Sequence, residues 1–111
     1  MTRALVHIVT GAGHADRAAW SARVLAVRPR WASLAPRGCP CCSGRIEARV
    51  ELTRLLRARR PARVLLELAD PHHLTALERV LAEWPLSRDV ESGRVIRLPE
   101  DAQLGPETLG P

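Results

Sequence analysis

Ala4-Leu5-Val6-His7-Ile8-Val9-Thr10-Gly11-Ala12-Gly13 is the stretch on which the fold turns. A short apolar run of this kind reads as a buried strand, and the glycines behind it as a tight turn into the next element. His7 alternates into that strand and reads as a buried or edge histidine rather than a ligand. Beyond the turn, Trp20, Val24 and Val27 fall at helical spacing within 15–28, and Pro29 stops the helix. Trp31 to Leu34 makes a second short strand.

Further along, Ser43 stands at a helix N-cap position. The stretch to Arg60 carries Ile46, Val50, Leu52, Leu55 and Leu56 on one broad face, and Pro61 closes it. Arg63 to Leu68 is the strongest buried-strand candidate. Asp70-Pro71 then supplies an N-cap with proline at the first helical position, and Leu74, Leu77, Leu81 and Trp84 continue at three-and-four spacing. Arg94 to Leu98 makes the last strand. Strands alternating with helices predict an α/β fold, with a small parallel sheet of three to four strands covered by helices on both faces. One domain over 1–98 is expected, with 99–111 a loosely ordered tail.

The 111 residues carry 17 cations and a net charge of +5, and every one of those cations is arginine. The arginines are spread from Arg3 to Arg97, only Arg57-Ala58-Arg59-Arg60 forms a run, and no aromatic residue interleaves with that run. That spread argues against nucleic acid as a partner and reads as a codon bias. The chain has neither an apolar run of membrane-spanning length nor a secretory layout at its start, so a soluble cytoplasmic protein is expected.

Cys39, Cys41 and Cys42 are the only cysteines, and they share one segment, Gly38-Cys39-Pro40-Cys41-Cys42. An odd, clustered set argues for a reducing compartment and against a disulfide framework. Cys-x-Cys-Cys brings thiolates within reach of one cation, and Zn²⁺ favours sulfur ligands. A redox pair and a turn with inert cysteines are the rival readings. Three thiolates leave one tetrahedral position, for which His72, His73, Glu47 and Glu67 are the candidates. Arg37 and Arg45 would favour the thiolate forms.

The order of these parts resembles the CobW-type metallochaperone GTPases, a P-loop family related to the UreG and HypB nickel-insertion GTPases. Gly11-Ala12-Gly13 looks like the end of the family's phosphate loop, and Gly38-Cys39-Pro40-Cys41-Cys42 fits its Gly-Cys-x-Cys-Cys signature. Arg45 and Glu47 match the polar helix start that follows. Val64-Leu65-Leu66-Glu67 and Ala69-Asp70-Pro71 resemble its Walker B strand and the segment after it. The resemblance implies a truncated P-loop-NTPase-like fold, metal handling, a client protein or larger CobW-like relative as partner, and Gly11, Gly13 and His14 as the remnant of a nucleotide site. A second copy of the chain is a further candidate partner, covering hydrophobic sheet edges.

A working phosphate loop reads Gly-x-x-x-x-Gly-Lys-Ser/Thr. Here the lysine position is His14, the hydroxyl positions are Ala15 and Asp16, and the leading glycine is Ile8. The expectation is therefore a zinc-binding or relay module in which GTP hydrolysis is lost. The alternatives are an atypical Mg²⁺-dependent GTP-binding protein, with Arg17 supplying the missing charge, and a partner-binding protein with inert cysteines.

Overall fold

The computed structural model describes residues 3–36 and 44–110, and side chains from Ile46 onward in the second helix. Cys39, Cys41 and Cys42, together with Arg37, the Ser43 cap and the Arg45 side chain, lie outside the described residues. The elements are β1 (Ala4–Gly11), α1 (His14–Val27), β2 (Ala32–Leu34), α2 (Gly44–Arg59), β3 (Arg63–Leu68), a 3₁₀ turn (Pro71–His73), α3 (Leu74–Ala82), α4 (Leu86–Asp89), β4 (Val90–Leu98) and α5 (Pro106–Leu109). The four strands form one sheet in the order β2-β3-β1-β4, and every pairing is parallel.

This topology explains the two cores. The β1-to-β2 connection passes β3 in one direction, while β2-to-β3 and β3-to-β4 run in the other. Crossovers of one hand then place α1 on one face of the sheet and α2 and α3 on the opposite face. Val6, Ile8, Val64 and Leu66 pack against Leu52 of α2 and Leu77, Val80 and Leu81 of α3. Val9, Leu65 and Ile96 pack against Trp20 and Val24 of α1. The central strands β1 and β3 are buried on both sides, which is why they read as near-continuous apolar runs.

Several expectations change in detail. The buried stripe of α1 is Arg17, Trp20, Ser21 and Val24, spaced i, i+3, i+4, i+7, whereas Val27 is 58% exposed. In α2 the inward positions are Ala48 and Leu52, flanked by Leu55 and Leu56, and both Ile46 and Val50 face outward. Helix α3 ends at Ala82, and Glu83 turns extended, so Trp84 leaves the stripe and is 74% exposed. β4 starts four residues earlier than the apolar run 94–98 implies.

The expected loose tail is structured. Residues 99–104 turn back over α1, where the Trp20 indole donates to the Leu104 carbonyl at 3.1 Å. Leu109 of α5 joins the α1-side core. The Gly and Pro density masks this because only Leu104 and Leu109 carry apolar bulk there. Those two side chains cover the part of the sheet face that α1 alone leaves open.

His7 is buried, at 3% exposure, on the α1 side of β1. Its Nδ1 accepts the Arg94 amide at 3.0 Å, and its Nε2 lies 3.2 Å from an Arg63 guanidinium nitrogen. Each ring nitrogen thus faces an N–H donor, and neither contact calls for a proton on the ring. Protonation would set a donor against the Arg94 amide and a second cation beside Arg63. Burial, then Arg63 and Arg94, lowers its pKa from 6.5 to about 4. The unfolded chain therefore binds the proton first as pH falls, so this contribution to stability is full above pH 6.5 and is lost toward pH 4. The interval corresponds to about 3 kcal/mol. Urea unfolding between pH 7.5 and 4.5 should show that loss in the wild-type chain, and His7→Gln should flatten the pH dependence through this window.

Candidate functional site

The carboxyl ends of β3, β1 and β4 lie within a residue of one another, and β2 stops two residues short of the end of β3. Leu34 of β2 and Ile8 of β1 both pair with Leu66 of β3, Thr10 pairs with Leu68, and Gly11 pairs with Leu98 of β4. β1 and β3 are neighbours whose connections leave in opposite directions over opposite faces. Such a switch point opens a crevice at the carboxyl edge, the usual place for a ligand in an open parallel sheet. The segment between Leu34 and Gly44, which contains all three cysteines, leaves and rejoins the described chain at this edge.

The turn after β1 is tight. Gly11 has φ +79° and Ala12 φ +53°, both left-handed, and Gly13 is extended at the start of α1. A Cβ on Gly11 would collide with the carbonyl oxygen of Leu98, so glycine is required there on two counts. Only Ala12 and Gly13 separate β1 from α1. Ile8, at the position of a leading phosphate-loop glycine, lies inside β1 and is 3% exposed.

Arg17 fills the space under this turn. Its side chain is 7% exposed, and one terminal nitrogen donates to the Ala12 carbonyl at 2.9 Å and to that of Gly11 at 3.4 Å. Its Nε donates to Glu67 Oε1 at 3.3 Å. Glu67 sits one residue before the end of β3, on the strand face that meets α1, and its side chain is 8% exposed. The guanidinium thus ties the β1–α1 turn to the neighbouring strand, and it is engaged rather than available to a phosphate.

The same Glu67 oxygen lies 3.2 Å from Nδ1 of His14, whose side chain is 70% exposed. A carboxylate on one ring nitrogen fixes the imidazole's orientation and leaves the other nitrogen as the ligating one, the arrangement seen behind metal-bound histidines. A second pair repeats the pattern. His72 Nδ1 lies 2.9 Å from Asp70 Oδ1, and the His72 ring is 90% exposed. Asp70 also caps the 3₁₀ turn by accepting the His72 amide at 2.9 Å, and this backbone bond, then the ring contact, holds its carboxyl below the usual range.

Of the residues singled out in the sequence, Gly11, Gly13, His14 and Glu67 come together at this edge. His72 and His73 follow β3 there in the 3₁₀ turn, and Glu47 is exposed in the first turn of α2. Among the described residues, no group of three His, Cys, Asp or Glu side chains converges into a metal site. Sequence reasoning missed Glu67 as a partner of Arg17 and His14. The available signal was Arg17 itself, which stands three residues before Trp20 and seven before Val24, on the buried stripe. Compared with family models, curated proteins and solved structures, the chain matches none of the three.

Removing one member of a buried pair strands the other's charge, at a cost of about 3 kcal/mol. Arg17→Met should show a loss of that order in urea unfolding. Arg17→Met combined with Glu67→Leu should recover most of it, because no lone charge is then buried. Losses that simply add would contradict a direct coupling.

Proposed function

We infer that this chain is a metal-binding or metal-relay module, with zinc as the ion and the Cys39, Cys41 and Cys42 thiolates as its main ligands. The donor set carries the choice of metal, since clustered thiolates with an imidazole suit Zn²⁺. One observation supports siting it at the carboxyl edge: the His14 Nδ1–Glu67 contact orients an exposed imidazole at the edge where the cysteine segment is anchored. On this reading His14 Nε2 is the fourth protein ligand, and Glu67 acts through the ring rather than on the ion. His72, held by Asp70, is the alternative donor.

The CobW resemblance belongs to the same proposal. It supports transfer of the ion to a client protein or a larger CobW-like relative, in a reducing compartment that keeps the thiols free. No described helix is long and apolar enough to cross a membrane. Nucleotide chemistry has less support, because the Gly11 and Ala12 carbonyls and the Arg17 guanidinium satisfy one another where a phosphate loop would present amide donors.

A zinc titration of the reduced protein against a chromophoric chelator tests this. The wild-type chain should bind one ion tightly, and the triple variant Cys39→Ser, Cys41→Ser, Cys42→Ser should lose that site. Glu67→Ala should weaken binding by about ten- to a hundredfold, the scale for a residue that orients a ligand, and His14→Ala should weaken it by at least as much. Equal, weak binding by all of these proteins would sink the metal reading. Saturable Mg²⁺-GTP binding below millimolar nucleotide would put the nucleotide reading in its place.

A further inference from the structure

Arginines that are far apart in sequence meet at the other edge of the sheet. Every strand of an all-parallel sheet is entered from the same side, so the four entry segments lie side by side. Each carries arginine. Arg3 precedes β1, Arg30 precedes β2, Arg57, Arg59 and Arg60 lie at the end of α2 and the junction into β3, and Arg88 lies in α4 directly before β4. All six are exposed, and all six line one open depression of about 1390 Å³.

The depression is poorly neutralised from within. Asp89 is its only acidic lining residue, and it lies 3.6 Å from Arg88. The side chains of Arg3, Arg30, Arg57, Arg59 and Arg60 form no hydrogen bond or ion pair among the described residues. The three arginines at the end of α2 also sit where the helix dipole favours positive charge, which offsets part of their mutual repulsion.

Geometry narrows the occupant. Neighbouring strands are about 4.8 Å apart, so the sheet order spreads Arg30, Arg60, Arg3 and Arg88 across three inter-strand steps, about 14 Å in all. A row of that length suits a chain of phosphates better than one phosphate group. Guanidinium groups bind phosphate oxygens in bidentate fashion. The exposed large apolar residues, Val27, Ile46, Val50 and Trp84, are absent from the lining. The surface therefore has neither an apolar anchor for insertion into a bilayer nor an aromatic platform for unpaired bases.

We propose that this amino-terminal edge binds the phosphate backbone of double-stranded nucleic acid, reading charge rather than base sequence. The net charge of +5 agrees with it. Spread along the chain was the ground for expecting otherwise, and the parallel topology removes that ground by gathering the arginines in space.

Anisotropy of a fluorescein-labelled 20-base-pair DNA duplex, titrated with the full chain between 50 and 200 mM KCl, tests the proposal. Five neutralised phosphates would give a log–log salt slope of about −4.5 and about 500-fold weaker binding across that range. Arg57→Gln, Arg59→Gln, Arg60→Gln combined should reduce the slope to about −2. Arg23→Gln, Arg79→Gln, Arg97→Gln combined removes the same charge from exposed positions outside the depression and should leave affinity within about threefold. Circular dichroism melts would establish that both variants are folded. Absence of duplex binding, equal losses in the two triple variants, or binding to phosphatidylserine vesicles in preference to the duplex would each overturn the proposal.

Discussion

Parallel pairing of all four strands constrains everything else in this molecule. It forces each strand to exit at one edge and enter at the other, so the loops sort into two groups by their place in the chain. The β1–α1 turn, the end of β3 with Glu67, and the anchors of the cysteine segment share the exit edge. The arginine-bearing segments share the entry edge. The two chemically distinct surfaces are consequences of one hydrogen-bonding pattern.

At the exit edge, the Arg17–Glu67 pair carries the local order. A carboxylate in β3 and a guanidinium in α1 are both nearly dry, which is tolerable only because each satisfies the other and the guanidinium also takes two turn carbonyls. That arrangement pins the first turn of α1 against β3. It also sets a carboxylate beside His14, so a structural ion pair and the orientation of an exposed imidazole share one oxygen atom. The β1–α1 connection is left too short and too well satisfied internally to present amides to a ligand, a physical counterpart to the absent lysine and hydroxyl residues of the turn.

The elements most legible in the sequence were those whose burial is complete. β1 and β3 read as strands because both faces are covered, and α3 read as a helix because Leu74, Leu77 and Leu81 share a stripe. Errors arose where a residue type misled about its side of an element. The nucleotide alternative has Arg17 supplying charge to a phosphate, although Arg17 lies in the buried stripe. Trp84 continues the helical spacing of Leu74, Leu77 and Leu81, although it follows the end of its helix and is exposed. Leu104 and Leu109 were discounted among glycines and prolines, although they complete the α1-side core. In each case the deciding factor was a contact with a distant part of the chain, and periodicity over a dozen residues carries no information about such contacts.

The sequence by itself determined the α/β class, the parallel sheet, the extents of the central strands and the clustering of the three cysteines, because periodicity, turn residues and side-chain chemistry are local properties. Only the tertiary structure decided which residues meet: Glu67 with Arg17 and His14, Asp70 with His72 in the turn beyond β3, and six scattered arginines along one edge. The physical reason is that strand order and crossover hand bring together positions tens of residues apart, and no local pattern encodes that pairing.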